Sequence, residues 1–140
     1  MSKRRRAVRL LNGESRRQIR NPQMQYLLMI YRNEAEFAAT PPAELAAMMS
    51  EYTEFTKGII QAGQFKAGDR LKPTSTASTV RVRNGKVTTT DGPFAETREQ
   101  LGGYYLVEAK NLDEAIGIAA RIPGARVGSI EVRPIWAPAT

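Results

Sequence analysis

The sequence predicts an α+β domain, with one antiparallel sheet, two helices on a single face of it, and a hairpin inserted midway along the chain. Three observations carry that expectation. Two stretches with helical apolar spacing each open on a capping signal. An Asn-Gly pair separates two alternating β-branched runs. The elements follow in the order strand, helix, strand, hairpin, strand, helix, strand. At 140 residues the chain fits one domain, large enough for a proper core.

Residues 1 to 23 carry basic side chains with a few apolar ones (Val8, Leu10, Leu11, Ile19). A segment of this composition buries too little apolar surface to order itself, so it reads as a disordered leader, or as an upstream start chosen in place of Met24. The alternative is a basic arm for nucleic acid or another acidic partner. Tyr26 to Tyr31 is a continuous apolar run. A strand with one wet face should alternate, so both faces are expected to be covered, one of them by another subunit.

Thr40-Pro41-Pro42-Ala43-Glu44 predicts a helix start, with Thr40 as N-cap and Pro41 at the first helical position. Leu45, Met48, Tyr52, Phe55 and Ile59 make one apolar stripe, read as core rather than as a ligand box, and Gly63 closes the helix. A short strand runs from Phe65 to Leu71, followed by a polar loop from Thr74 to Ser78. Thr79 to Arg83 and Lys86 to Thr90 flank Asn84-Gly85, which suits a two-residue type I′ turn because both positions need positive φ. Tyr104 to Ala109 is a strand, and Asn111 with Glu114 three residues on forms a capping box for a second helix. That helix is expected to bury Leu112, Ala115, Ile116 and Ala119, and to end at Ile122-Pro123-Gly124. The last strand, Ser129 to Ile135, puts Ile130 and Val132 on one face and Glu131 and Arg133 on the other. Residues 137 to 140 are a tail.

This order is the split β-α-β plan of ferredoxin-like domains, β-α-β-(hairpin)-β-α-β. With both helices on one face, the other face is left bare and suits dimerisation.

Composition removes whole classes of chemistry. There is no cysteine and no histidine, so thiolate nucleophiles, imidazole bases, zinc–thiolate and histidine metal sites are excluded, and no metal or other cofactor is expected. The formal charge of +7 belongs to the first 20 residues, which hold eight bases and one acid; the remainder is balanced. Nucleic acid is therefore an expected partner only through the leader. No stretch is long and apolar enough for a membrane span, and a cytoplasmic location is expected.

The densest set of unusual residues is Asp91-Gly92-Pro93-Phe94, then Glu96, Arg98, Glu99, Gly102-Gly103 and Tyr104-Tyr105. This run, the hairpin before it, the opening Met24 to Tyr31 and the closing Gly128 to Pro134 together resemble the YCII-related family, in the branch named for its Asp-Gly-Pro-Phe motif. The resemblance covers roughly residues 24 to 136 and implies a dimeric α+β barrel, two sheets stacked face to face. Enzymatic relatives look as if they use a His–Asp pair beside the sheet; with no histidine here, that pair cannot be carried over.

Asp91 is then the one motif residue to propose as a catalytic base; its other reading is a turn former, accepting backbone N–H groups of its own loop. Arg81, Glu96, Arg98, Glu99, Tyr105 and Arg133 are candidate ligand contacts, since an arginine can hold a carboxylate through two parallel hydrogen bonds. For Glu131 and Arg133 the alternative is an ion pair across strands or subunits. The glycine pair lacks the spacing of either nucleotide loop. The loop from Asp91 to Glu99 is expected at the rim of a cleft between sheet and first helix, with Phe94 as its buried anchor. Three functions follow: a small-ligand-binding homodimer, an enzyme on a small polar or aromatic substrate using Asp91, or a regulatory partner of an extracytoplasmic-function sigma factor, the last implied by the resemblance alone.

Overall fold

The computed structural model describes residues 23–137; expectations for the leader, apart from its last residue, and for residues 138–140 lie outside them. Strand β1 (Met24–Arg32) is followed by a short helix α1 (Glu34–Ala38) and a long helix α2 (Pro42–Gln61). Then come β2 (Phe65–Arg70), the hairpin β3 (Ser78–Arg83) and β4 (Lys86–Asp91), β5 (Gln100–Ala109), α3 (Leu112–Ala120) and β6 (Ser129–Pro134). Four strands form one antiparallel sheet in the order β2-β5-β1-β6, and the hairpin is a separate two-stranded ribbon. With the hairpin set aside, this is the ferredoxin-like α+β arrangement.

Side-chain alternation divides the sheet into two faces. Tyr26, Leu28 and Ile30 of β1 stand with Tyr105 and Val107 of β5 and Ile130 and Val132 of β6. These form one core with Phe55 and Ile59 of α2 and Ala115, Ile118 and Ala119 of α3. Leu28, Ile59, Val107, Ile118 and Ile122 are fully buried, each worth about 1.5–3 kcal/mol relative to exposure. Leu27, Met29 and Tyr31 alternate onto the opposite face, beside Leu106 and Tyr104, and are half-buried. A strand apolar on both faces is thus seen, with helices over one of them.

The helices differ in detail from their sequence signals. Thr40 is not the N-cap of α2: its hydroxyl donates backwards to the Glu36 carbonyl at 3.1 Å, finishing α1. Pro41 takes the cap position and Pro42 the first helical one, where a missing N–H costs no hydrogen bond. At the other end, Gln64 N–H reaches the Ile59 carbonyl at 2.9 Å and Gly63 N–H the Ile60 carbonyl at 3.0 Å, a Schellman closure that needs Gly63 at φ 74°. In α3 the buried stripe is Ala115, Ile118 and Ala119, whereas Leu112 and Ile116 are each 48% exposed. Leu112 and Ile116 share a ridge next to the core-facing one, and docking on the sheet selects between the two ridges. Helix α1 has no apolar stripe to announce it; Asn33 caps it by accepting the Glu36 N–H at 2.9 Å.

The hairpin has the turn its sequence demands, with Asn84 at φ 51° and Gly85 at φ 76°. Strand β5 begins at Gln100, four residues before the aromatic run, so Gly102 and Gly103 belong to the sheet. Between Ile30↔Gly103 and Tyr31↔Leu101 the register shifts, leaving Gly102 as an extra residue in a β-bulge.

A candidate ligand-binding cleft

The bulge and the alternation of β1 together prepare a site. Tyr26, Leu28 and Ile30 point into the helix-covered layer, and Arg32, the last residue of the strand, lies at the open end of the same layer, among the residues lining a cavity of about 630 Å³. Helix α2 forms one wall through Met48, Met49, Tyr52 and Thr56; the sheet forms the other through Ile30, Phe65, Gly103 and Tyr105. Phe37 and Ala38 of α1 and Leu71 and Pro73 after β2 close the end. Gly68 keeps the floor low: a Cβ there would sit 2.8 Å from the Tyr105 ring.

Most of the polar groups around this space are already engaged. The Tyr105 hydroxyl shares a 2.6 Å hydrogen bond with Thr56 Oγ1, and its ring meets Phe55 and Phe65 edge-on at 5.2 and 6.3 Å. Glu34 accepts from Thr74 N–H at 2.8 Å and from Thr74 Oγ1 at 2.7 Å, tying α1 to the loop after β2. Tyr52 accepts the Gly124 N–H at 3.2 Å. Burial pushes the hydroxyls of Tyr52 and Tyr105 above the ordinary tyrosine pKa, against the lowering effect of the Gly124 N–H on one and Thr56 on the other.

Arg32 is the exception. Its guanidinium lies 4.9 Å from the Phe37 ring centre, its Nη1 donates to the Met48 sulfur at 3.4 Å, and its buried Nε has no acceptor. No carboxylate pairs with it among the described residues. An arginine held against an aromatic ring and a thioether at the mouth of an apolar cavity can take an anionic group from outside the chain.

The YCII-related domain family matches residues 24–138, from the first residue of β1 to beyond β6. The chain belongs to that family. It is 37% identical over 114 residues to an uncharacterised protein of Rhizobium meliloti (strain 1021), a match covering 80% of this chain and 92% of that one. Among the described residues no helix is long and apolar enough to cross a membrane.

Within this YCII-related domain the expected site residues do not come together. Tyr105 lines the cleft. Asp91 ends β4 opposite Ser78, exposed, with no side-chain hydrogen bond among the described residues; its turn is tied instead by Gly92 N–H to the Ala77 carbonyl at 2.7 Å and by Thr79 Oγ1 to the Gly92 carbonyl at 2.9 Å. Arg81 is exposed on β3, paired with Thr88. Glu96, Arg98 and Glu99 lie on the link into β5, outside the cleft lining, although the Arg98 carbonyl accepts from Asn33 Nδ2 at 3.2 Å and so meets the turn before α1. Arg133 pairs with Glu131 two residues earlier on the same face of the same strand, and that carboxylate raises its pKa. The pair therefore forms along a strand, not across strands. Phe94 is not a buried anchor: it is 80% exposed, because the hydrogen bonds from Gly92 and Thr79 fix the turn without it.

Sequence reasoning passed over Arg32, Tyr52, Met48 and Phe37 as site residues. For Arg32 a signal was present: it continues the inward series Tyr26, Leu28, Ile30, so its charge occupies a core-facing position. For Tyr52 and Met48 no local signal distinguishes a cleft wall from a core stripe, since both require the same helical spacing.

Proposed function

We propose that this YCII-related protein binds a small organic ligand in the cleft between α2 and the sheet, and that it works as a homodimer. The cavity carries the reading. Its volume of about 630 Å³ falls in the range of small-molecule sites, roughly 300–1,000 Å³, and its walls are apolar with a few converging polar groups. The homodimer is supported by Leu27, Met29, Tyr31, Tyr104 and Leu106 lying together on the sheet face opposite the core helices, and by the resemblance to the Asp-Gly-Pro-Phe branch.

Binding is tested by thermal denaturation against a panel of small organic acids, amides, phenols and amines, on the wild type and on Met49→Trp. Met49 lines the cavity and is half-buried, so an indole there fills the space without entering the fully buried core. A ligand near 100 times its Kd adds about 2.7 kcal/mol of stability. The expected outcome is a compound that raises the wild-type Tm by several degrees and leaves Met49→Trp unmoved. An equal shift in both proteins, or none with any compound, refutes binding in the cleft.

A further inference from the structure

The cleft has a charge preference of its own, and naming it rests on the small-ligand reading above. Arg32 brings a permanent cation to the lining of a mostly apolar cavity. The chain provides little to balance it: Nη1 has a thioether at 3.4 Å, a weak acceptor, and Nε is buried with none. The acids that line the cleft are committed elsewhere. Both oxygens of Glu34 receive hydrogen bonds from Thr74, and Asp69 accepts the Tyr104 hydroxyl at 2.7 Å on the opposite sheet face. Tyr52 uses its oxygen as an acceptor for Gly124, which leaves its O–H, also at the lining, able to donate.

We propose that the ligand is an amphipathic monocarboxylic acid with an aromatic or branched apolar body. Its carboxylate supplies the counterion that Arg32 lacks, paired with the guanidinium and assisted by the Tyr52 O–H. Its body lies between Phe65 and Tyr105 on the sheet and the flexible thioethers of Met48 and Met49 on α2, which adapt to irregular shapes. A phosphate suits the site poorly. A dianion taken out of water needs several charge-assisted donors, whereas this lining is mostly apolar and Arg70, the other arginine there, is exposed.

The test is calorimetric titration at fixed ionic strength with benzoate, phenylacetate and 3-phenylpropionate, their neutral amides, and inorganic phosphate, on the wild type, Arg32→Met and Arg32→Gln. At least one acid is expected to bind the wild type at least about tenfold tighter than its amide and than phosphate, the least that a hydrogen-bonded ion pair contributes. Either variant should lose that preference. Unliganded Arg32→Met should melt at or above the wild-type temperature, because it removes a half-buried charge that no carboxylate balances; a purely structural arginine would lower it. The acid-over-amide ratio is read on the wild type, so the inference stays exposed to refutation even if a variant does not fold. Amides that bind as tightly as acids, or acids that bind Arg32→Met unchanged, overturn the carboxylate class while leaving the cleft as a binding site. Phosphate as tight as the best acid overturns it too. Failure of every acid also overturns it, and the Met49→Trp comparison then decides whether the cleft binds anything.

Discussion

Tyr105 sits where the core ends and the cleft begins. Its ring is buried between Phe55 and Phe65, and its hydroxyl reaches Thr56 across the gap between β5 and α2. Tyr105→Phe keeps the ring packing and leaves the Thr56 hydroxyl without this partner, so at pH 7 it should lower stability by about 1 kcal/mol. The deficit should depend on pH. Burial raises the folded-state pKa of Tyr105 above the unfolded value of about 10, so the unfolded chain loses this proton first. The stability that depends on the neutral phenol is complete below pH 10 and is lost as pH rises through the folded value. Tyr52, whose pKa is raised mainly by burial and also by the charge of Tyr105, adds a slope in both proteins, and its Tyr105-dependent part, present in the wild type alone, adds to the narrowing. Urea denaturation of wild type and Tyr105→Phe at pH 7 and again above pH 10 should show the gap between them narrowing. A constant gap would mean that the phenol titrates as if it were in water.

Among the elements, α3 shows most directly how a local signal acts. Asn111 Oδ1 accepts the Glu114 N–H at 2.9 Å, while the Glu114 carboxylate accepts the Lys110 N–H at 2.8 Å, one residue before the usual capping-box partner. Two N–H groups at the start of the helix are thereby satisfied, and the acids Asp113 and Glu114 lie in its first turn, favourable for the helix dipole. Asn111→Ala should cost about 1 kcal/mol by denaturant titration, and Asn111→Asp much less, because aspartate is as good a cap. Equal losses for the two would mean that something other than the cap oxygen matters there. The hairpin is also locally specified, but apart from half-buried Thr79 its strand residues are exposed, with Val80 at 59% and Val87 at 67%. Its conformation comes from the turn, whereas that of α3 comes from both cap and core.

At the scale of the whole molecule, the sheet has one face packed by α2 and α3 and another on which Leu27, Met29, Tyr31 and Leu106 are half-buried. Edge strand β6 adds the Glu131–Arg133 pair to that second face. Two sheets stacked there would be expected to form an interface of the standard size, roughly 1,600 Å². Light scattering at micromolar concentration should give twice the chain mass. Leu27→Glu should halve it, since two carboxylates near a two-fold axis would have to lose water without a partner. A monomeric wild type, or a dimer indifferent to Leu27→Glu, would remove this face from consideration.

The sequence by itself determined whatever depends on neighbours along the chain. Asn84-Gly85 dictated its turn because few other residues accept positive φ twice in succession. Leu45, Met48, Tyr52, Phe55 and Ile59 defined one face of α2 by their helical spacing, and the unbroken apolar run Tyr26 to Tyr31 a strand apolar on both sides, because successive strand residues point to opposite faces. Element order then led to the four-stranded sheet. Tertiary structure decided which of two apolar ridges α3 buries, leaving Leu112 and Ile116 out. It also left Phe94 in water, because two hydrogen bonds between Gly92 and the distant residues Ala77 and Thr79 already held its turn. The cleft itself was decided the same way: the bulge at Gly102 and the inward alternation of β1 bring Arg32 beside Phe37, Met48 and Tyr52, while Asp91 ends a separate ribbon. Such a site brings together residues far apart in the chain, and neither periodicity nor turn chemistry encodes which side chains converge when a strand, a helix and a bulge are packed in three dimensions.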